Sequence, residues 1–358
     1  GECLVAHKIA ATFKNAIISR IKIIANLDIT ERRKPQSGKI MLRFENRKVE
    51  YRVEITPTVG SQEDAVLRLL AASKPLPLEE MGFLPYNLER LKGIVVKPYG
   101  MILCVGPTGS GKTTTLHSAL GFINKPNRKI WTAEDPVEIT QAGLRQVQVN
   151  ARIGFSFAEA MRSFLRADPD VIMIGEMRDE ETAKIAIEAS LTGHQVFSTL
   201  HTNSAPETVV RLIDMGMDRL NFADALLGIV AQRLARKLCD DCKKPLKLRR
   251  EDYDDLRQEF LSDASPVTAN LFPDYETVVF MTPVGCKLCN DTGYKGRVAL
   301  HELLLGTPVL KNAIKQGSGG DALKRIAVEE GMMTLKMDGI LKVLRGQTNM
   351  EQVLKVCM

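Results

Sequence analysis

The chain has 358 residues, 44% of them hydrophobic, and carries 49 basic against 43 acidic side chains for a net charge of +6. Such a length can bury a full core and suits two or three domains. No stretch approaches the roughly 18 apolar residues of a membrane span and no signal-peptide pattern opens the chain. Seven cysteines, an odd number, suit a reducing compartment better than a disulfide framework. The charge excess lies in residues 1–60, where twelve Lys or Arg stand against six Asp or Glu, a difference of six. A basic region of that kind can meet acidic lipid, nucleic acid or a neighbour's bound nucleotide, or it can be a solvated face. Ordered-looking sequence begins almost at once, so the chain reads as a fragment lacking an upstream domain.

Ile9, Phe13, Ile17, Ile21 and Ile24 recur at spacings of three and four, which predicts an amphipathic helix over 8–26. After the loop 32–38 come the alternating residues Ile40, Leu42 and Phe44, then Val49, Tyr51, Val53 and Ile55. They predict two strands joined through 45–48, a hairpin with one buried face. Ser61-Gln-Glu-Asp64 predicts a capped helix reaching about Ala72, and the two prolines of Lys74-Pro-Leu-Pro-Leu78 predict a linker over 74–84. Residues 1–73 are thus expected to form a small α+β domain. From 85 to 235, short apolar strands at 101–105, 130–133, 171–174 and 196–200 alternate with helices, the pattern of a parallel sheet with crossover connections. Asp179 and Ser204 announce helix starts. Residues 236–300 carry paired cysteines, and 301–358 read as short helices, the last capped by Thr348-Asn-Met-Glu351.

Gly106-Pro-Thr-Gly-Ser-Gly-Lys112-Thr113 follows the 101–105 strand and opens a segment with apolar residues at helical spacing. In that setting G-x-x-x-x-G-K-T is a phosphate-binding loop. The turn's backbone N–H groups, through Gly106, Thr108, Gly109, Ser110 and Gly111, point at phosphate oxygens, and the helix N-terminus adds its partial positive charge. Lys112 is expected on the β- and γ-phosphates and the Thr113 hydroxyl on Mg²⁺, with Thr114 beside it in the binding set. The chain is therefore expected to bind ATP or GTP.

Val171-Ile-Met-Ile-Gly-Glu176 is an apolar strand ending in a carboxylate suited to Mg²⁺ or the attacking water. Glu134-Asp-Pro-Val-Glu138 adds two candidate carboxylates, Glu134 and Glu138, at the end of the 130–133 strand, and a strand there is the arrangement of RecA-like ATPases. Each cluster taken alone could be a helix cap or a solvated turn. His194 and His201 flank the 196–200 strand; both are expected at the carboxyl edge of the sheet, as sensors of the γ-phosphate. Cys239-Asp-Asp-Cys242 and Cys286-Lys-Leu-Cys289 are two knuckles, separated by 43 residues, that can close a four-thiolate structural Zn²⁺ site. A small subdomain, acidic near 251–255, must be inserted between them, and it is expected to have little core of its own. Cys3, Cys104 and Cys357 have no partners in the sequence.

With these motifs in this order, the chain resembles the secretion ATPases of type II secretion and type IV pilus assembly. The resemblance covers nearly the whole chain. It rests on Ser19-Arg-Ile-Lys22, Arg32-Arg-Lys-Pro-Gln36, the phosphate loop, Glu134-Asp-Pro-Val-Glu138, Arg166-Ala-Asp-Pro-Asp-Val-Ile-Met-Ile-Gly-Glu176-Met-Arg-Asp179, Thr192-Gly-His194, His201-Thr-Asn and Gly293-Tyr-Lys-Gly-Arg297. It implies an α/β fold: a RecA-like P-loop ATPase core with a small N-terminal α+β (PAS-like) domain and a zinc-bearing tetracysteine insertion.

The resemblance also implies a homohexamer that hydrolyses ATP with Mg²⁺, cytoplasmic at the inner-membrane face. Such rings turn an inner-membrane platform protein and so add pilin or pseudopilin subunits to a fibre, with membrane association only through partners. Arg52, Arg68 and Arg162 match the arginines that reach a neighbouring subunit's nucleotide, and Arg52 lies on the polar face of its strand. The tetracysteine region favours an assembly motor over a retraction motor. Lys39 departs from the family's more usual Arg, and these residues read as lacking the family's usual amino-terminal docking domain. The leading expectation is a pilus-extension ATPase, and the alternative is a type II secretion ATPase. A nucleic-acid translocase fits less well, because aromatics make up only 5% of the chain and the basic region lacks interleaved rings. A non-hydrolysing scaffold fits poorly with Lys112, Glu134 and Glu176 all present.

Overall fold

The computed structural model describes residues 5–44, 47–70, 75–150 and 153–357. The chain divides into two compact units, 1–74 with 138–140, and 75–137 with 141–358.

In the first unit α1 (Lys14–Ile24), entered through a 3₁₀ turn at Ala11–Phe13, precedes an antiparallel sheet of β1 (Gln36–Phe44), β2 (Arg47–Thr58) and β3 (Gln62–Leu70). Ala25, Ile40, Val53 and Ile55 form its core, with Ile21 packed against them. Much of the α1 stripe stays outside that core, Phe13 and Ile17 among it. Lys22 is buried, pairs with Glu63 of β3 at 2.5 Å and donates to the Glu31 carbonyl at 2.7 Å. A buried ammonium requires both kinds of partner.

The expected helix over 61–72 is a strand instead. Gly60 and Ser61 have φ of 76° and 58°, left-handed residues in the three-residue turn 59–61 that brings Gln62 opposite Thr58. Ser61 is a turn residue rather than a cap, and Ala65, Leu67 and Leu69 stand opposite Ile55, Val53 and Tyr51. Cross-strand pairing outweighs a local capping signal here. Ala72 and the 45–46 tip of the first hairpin lie outside the described residues.

The second unit begins with α2 (Pro85–Val95), β4 (Gly100–Val105), α3 (Lys112–Ile123), β5 (Ile130–Glu134), β6 (Leu144–Gln148), α4 (Phe157–Leu165) and β7 (Val171–Ile174). It continues through α5 (Glu180–Leu191), β8 (Gln195–Leu200), α6 (Ala205–Asp214), α7 (Arg219–Ala225) and β9 (Leu226–Leu238). The cysteine-bearing stretch holds β10 (Lys244–Pro245), α8 (Arg250–Leu261), α9 (Pro266–Ala269) and β11 (Met281–Thr282). β12 (Tyr294–Leu305), α10 (Pro308–Lys315), α11 (Gly320–Glu329), α12 (Leu335–Leu344) and α13 (Met350–Cys357) complete the chain.

Among the described residues the main sheet has seven strands, in the order β12-β9-β4-β8-β7-β5-β6. All neighbours are parallel except β12, which is antiparallel to β9. Met101, Leu103 and Val105 pack into one cluster while Ile102 and Cys104 pack into another, so β4 is covered on both faces. That double burial is why its sequence is an unbroken apolar run.

The four strands expected in this unit are β4, β5, β7 and β8. β6, β9 and β12 extend the sheet, and the last two run through the boundaries expected at 235 and 300. The carboxyl-terminal region is therefore not helical alone. Residues 78–83, expected within a linker, are packed: Leu78, Met81 and Phe83 are buried in the same cluster as Leu116 and Leu120 of α3. Asp179 and Ser204 do cap α5 and α6, accepting from the N–H groups of Thr182 at 2.8 Å and Glu207 at 3.3 Å, caps worth about 1 kcal/mol each. α13 is capped by Asn349, which accepts from the Gln352 N–H, whereas the Thr348 hydroxyl donates to the Arg236 carbonyl.

The stretch between the cysteine pairs has more core than expected, because Tyr253 and Phe260 of α8 are buried with Met337, Ile340 and Leu341 of α12. Phe260→Ala should cost about 3–5 kcal/mol, read as a lower urea midpoint with native circular dichroism in buffer. A midpoint equal to the parent's would mean that α8 contributes nothing to the cooperative unit.

Candidate nucleotide site and metal centre

Each parallel strand delivers its carboxyl end to the same edge of the sheet, where open α/β folds bind ligands. β4 runs into the 106–111 loop and then α3. Gly106 and Gly111 have φ of 148° and 88°, which a residue with a Cβ would reach only under strain. Gly111, left-handed, is the N-cap of α3. Thr108 and Gly109 are exposed, Ser110 is buried, and Thr113 and Thr114 are half-buried on the first turn of the helix. Lys112 is buried, and its Nζ donates to the carbonyls of Gly106 at 2.8 Å and Pro107 at 3.0 Å. Burial pulls its pKa below the ordinary lysine range, against the opposing pull of Cys104 and Glu176.

Glu134, the last residue of β5, is buried and has partners at both oxygens. It accepts from the Thr132 hydroxyl at 2.6 Å and the Gln146 amide at 3.0 Å, and His117 Nε2 lies 3.2 Å from it. The other ring nitrogen of His117 meets Gln141 at 3.1 Å. Burial pushes the Glu134 pKa up, but the bonds from His117, Thr132 and Gln146 prevail and hold it below the usual glutamate value. Its ionised form is therefore the favoured one. Glu176, two residues past the end of β7, pairs with Arg178 at 2.5 Å and lies 3.5 Å from His201 Nε2. Glu138 is half-buried within 138–140, the short stretch that groups with the first unit.

The two histidines part company. His201 follows the carboxyl end of β8, as expected, and there it lies beside Glu176. His194 precedes the amino end of the same strand, and its Nδ1 lies 3.0 Å from the Ala189 carbonyl at the end of α5. Six strand residues at about 3.3 Å each separate the two by roughly 20 Å. The expectation that both occupy the carboxyl edge is corrected for His194.

In the first unit Lys39, Arg52 and Arg68 face one another across β1, β2 and β3 in a single register row. Arg52 is half-exposed and pairs with Glu54 at 2.9 Å. Cations abreast in a sheet repel unless anions neutralise them. Arg162, on α4, pairs with Glu159 at 2.7 Å and with Glu181 of α5.

The sulfurs of Cys239, Cys242, Cys286 and Cys289 all lie within 4.8 Å of one another. Three of the pairs are 4.0, 3.8 and 3.7 Å apart. A tetrahedral Zn²⁺ with bonds of about 2.3 Å needs sulfurs roughly 3.8 Å apart, so the donor set fits. Backbone N–H groups of Gly285, Cys286 and Gly293 point at the sulfurs of Cys242 and Cys289. Although burial opposes it, the N–H groups of Cys286 and Gly293 help hold the Cys289 thiol at about 6, ready to ionise.

The model for type II/IV secretion system proteins matches residues 4–355. This chain belongs to that family. The type IV pilus assembly ATPase PilB of Myxococcus xanthus is 47% identical over 343 residues, 95% of this chain and 58% of that protein. PilB of Thermus thermophilus is 45% identical over 341 residues, 95% of this chain and 37% of that protein. The type II secretion system protein E of Aeromonas hydrophila is 43% identical over 341 residues, with 95% and 65% covered. The chain thus spans between about a third and two thirds of these relatives' lengths. The crystal structure of the pilus retraction motor PilT with bound ADP aligns with a TM-score of 0.63 at 26% identity, over 90% of this chain and 78% of that one. The ATPase DotB of Legionella pneumophila, at 21% identity and a TM-score of 0.69 over 99% and 85%, shares the fold.

Within this secretion-ATPase fold, sequence reasoning missed His117, Gln146 and Arg178 as partners of the two acids. His117 carries a faint signal: it lies four residues after Thr113 and so on the same face of α3. Gln146 carries none, because its neighbour Glu134 is set by the pairing of β6 with β5.

Proposed function

We propose that this chain is the motor portion of an ATPase that powers extension of type IV pili. The observation that carries this reading is the convergence of the phosphate loop, Glu134, Glu176 and His201 at one sheet edge. The phosphate loop and Lys112 bind the triphosphate. Thr113 and Glu176 are hard oxygen donors suited to Mg²⁺, which when bound neutralises charge on the phosphates. Glu176 and Glu134 are the two groups able to orient water and take its proton; His201, beside Glu176, responds to the phosphate end. The cation row of Lys39, Arg52 and Arg68 supplies charge to a neighbouring subunit's nucleotide in a homohexamer, and Arg162 joins it once it leaves Glu159 and Glu181. Zn²⁺ on the four cysteines is structural, with no open position for chemistry.

The motor works at the cytoplasmic face of the inner membrane against a platform protein; among the described residues no helix is long and apolar enough to cross a membrane. A type II secretion motor is the second reading, favoured by the 43% identity to the Aeromonas hydrophila protein. Complementation of strains lacking either motor separates the two, scored as pili or as secreted protein. The ring itself is tested by ATP turnover per subunit against protein concentration. Turnover should rise to a plateau as rings assemble and fall about 10³-fold in Arg52→Ala, the range of an arginine supplied in trans. Concentration-independent turnover from a species that sizes as a monomer would sink the motor reading.

A further inference from the structure

Gln232 lies on β9 just past the pairing of Val105 with Ala231, under the first turn of the phosphate loop. Its side chain is buried, receives a long bond from the Cys104 thiol at 3.9 Å and makes two short hydrogen bonds of opposite sense. Nε2 donates to the Ser110 carbonyl at 2.7 Å, and Oε1 accepts from the Thr115 hydroxyl at 2.6 Å. The loop is moulded round this residue. A Cβ added at Gly106 would stand 2.4 Å from the Gln232 carbonyl oxygen, and one at Gly111 would stand 2.8 Å from its Nε2. The first glycine of the motif is therefore needed to clear the β9 backbone, and a side chain at the last would press on the Gln232 amide.

In a trans peptide a carbonyl and the next N–H point in opposite directions. With the Ser110 carbonyl turned down onto Gln232, the Gly111 N–H is turned up, toward the side on which phosphate is cradled. We propose that Gln232 is a positioning residue of the nucleotide site. It holds the Ser110–Gly111 peptide in its phosphate-facing orientation and ties that peptide, through Thr115, to the first turn of α3. An amide does both, whereas a carboxylate brings no donor to Ser110, and a thioether brings no donor at all. The proposal rests on the nucleotide-binding reading above.

The test is calorimetric titration of Mg·ADP into the parent chain, Gln232→Met and Thr115→Val, with melting temperatures taken with and without ligand. Gln232→Met should weaken ADP about tenfold, the effect of one lost hydrogen bond at a buried group, and shrink the ligand-induced rise in melting temperature to match. Thr115→Val, which cuts only the rear tether, should weaken it about threefold. The double variant should be no weaker than Gln232→Met, because both act through one peptide. If Gln232→Met melts lower without ligand yet binds ADP within twofold of the parent, Gln232 is packing alone and the proposal fails. Should that variant not fold, unchanged affinity in Thr115→Val overturns it equally. A parent chain that binds no ADP brings down the nucleotide reading itself, an outcome visible before any variant is compared.

Discussion

A Glu176→Gln variant should bind Mg·ATP about as tightly as the parent and turn it over roughly 10²–10⁴-fold more slowly, the span of general-base and electrostatic contributions. Glutamine keeps the shape of Glu176 and can still accept from Arg178, so the local fold has little reason to change. What it loses is the charge that faces Lys112, and the basicity that takes a proton from water. Glu134→Gln is the instructive contrast. Its Oε1 accepts from both Thr132 and Gln146, while its Oε2 faces His117 Nε2, so the NH₂ of a glutamine replaces Oε2, removes the charge opposite His117 and requires a bare Nε2 there, at about 1–3 kcal/mol. That variant should therefore lose stability as well as rate. Single-turnover hydrolysis and a thermal melt on each protein distinguish the two patterns, and a Glu176→Gln chain with undiminished turnover would falsify the role given to Glu176.

Removing the metal should have the larger structural effect. The tetracysteine centre joins the end of β9, at Cys239, to the approach to β12, at Cys289, and these are neighbouring strands of the main sheet. Structural zinc sites supply about 10–16 kcal/mol of apparent binding energy, comparable with the whole stability of a domain. Cys289→Ser, or exhaustive chelation, should therefore lower the melting temperature by well over ten degrees and open 240–293 to protease, whereas the parent should carry one zinc per chain by elemental analysis. Equal melting and protection with and without metal would mean that α8 and α12, through Tyr253 and Phe260, hold the region unaided.

Local chemistry made part of this architecture legible in the residues themselves. The phosphate loop was readable because its glycines answer to φ requirements that act over six residues. The strands β4, β5, β7 and β8 were readable because double burial demands short apolar runs, and the cysteine pairs because ligand spacing is a local constraint. The caps at Asp179 and Ser204 belong to the same kind, each satisfied within three residues.

Contacts made across the sheet were not legible. Ser61 offered a helix cap, yet β3 forms because Ala65, Leu67 and Leu69 gain partners on β2 that no local preference can outbid. β9 and β12 pair across more than fifty residues, so neither strand announces the other. His194 and His201 look equivalent in sequence, and only the direction of β8 sends one to the site and the other to the opposite end. Gln232 reaches Ser110, and Gln146 reaches Glu134, because the strand order sets β9 beside β4 and β6 beside β5. Sequence alone determined the phosphate loop, the tetracysteine set and the family, because each depends on spacing along the chain. The partners of Glu134 and Glu176, and the contact of Gln232 with Ser110, were decided by the tertiary structure, because sheet pairing joins strands that the chain keeps far apart.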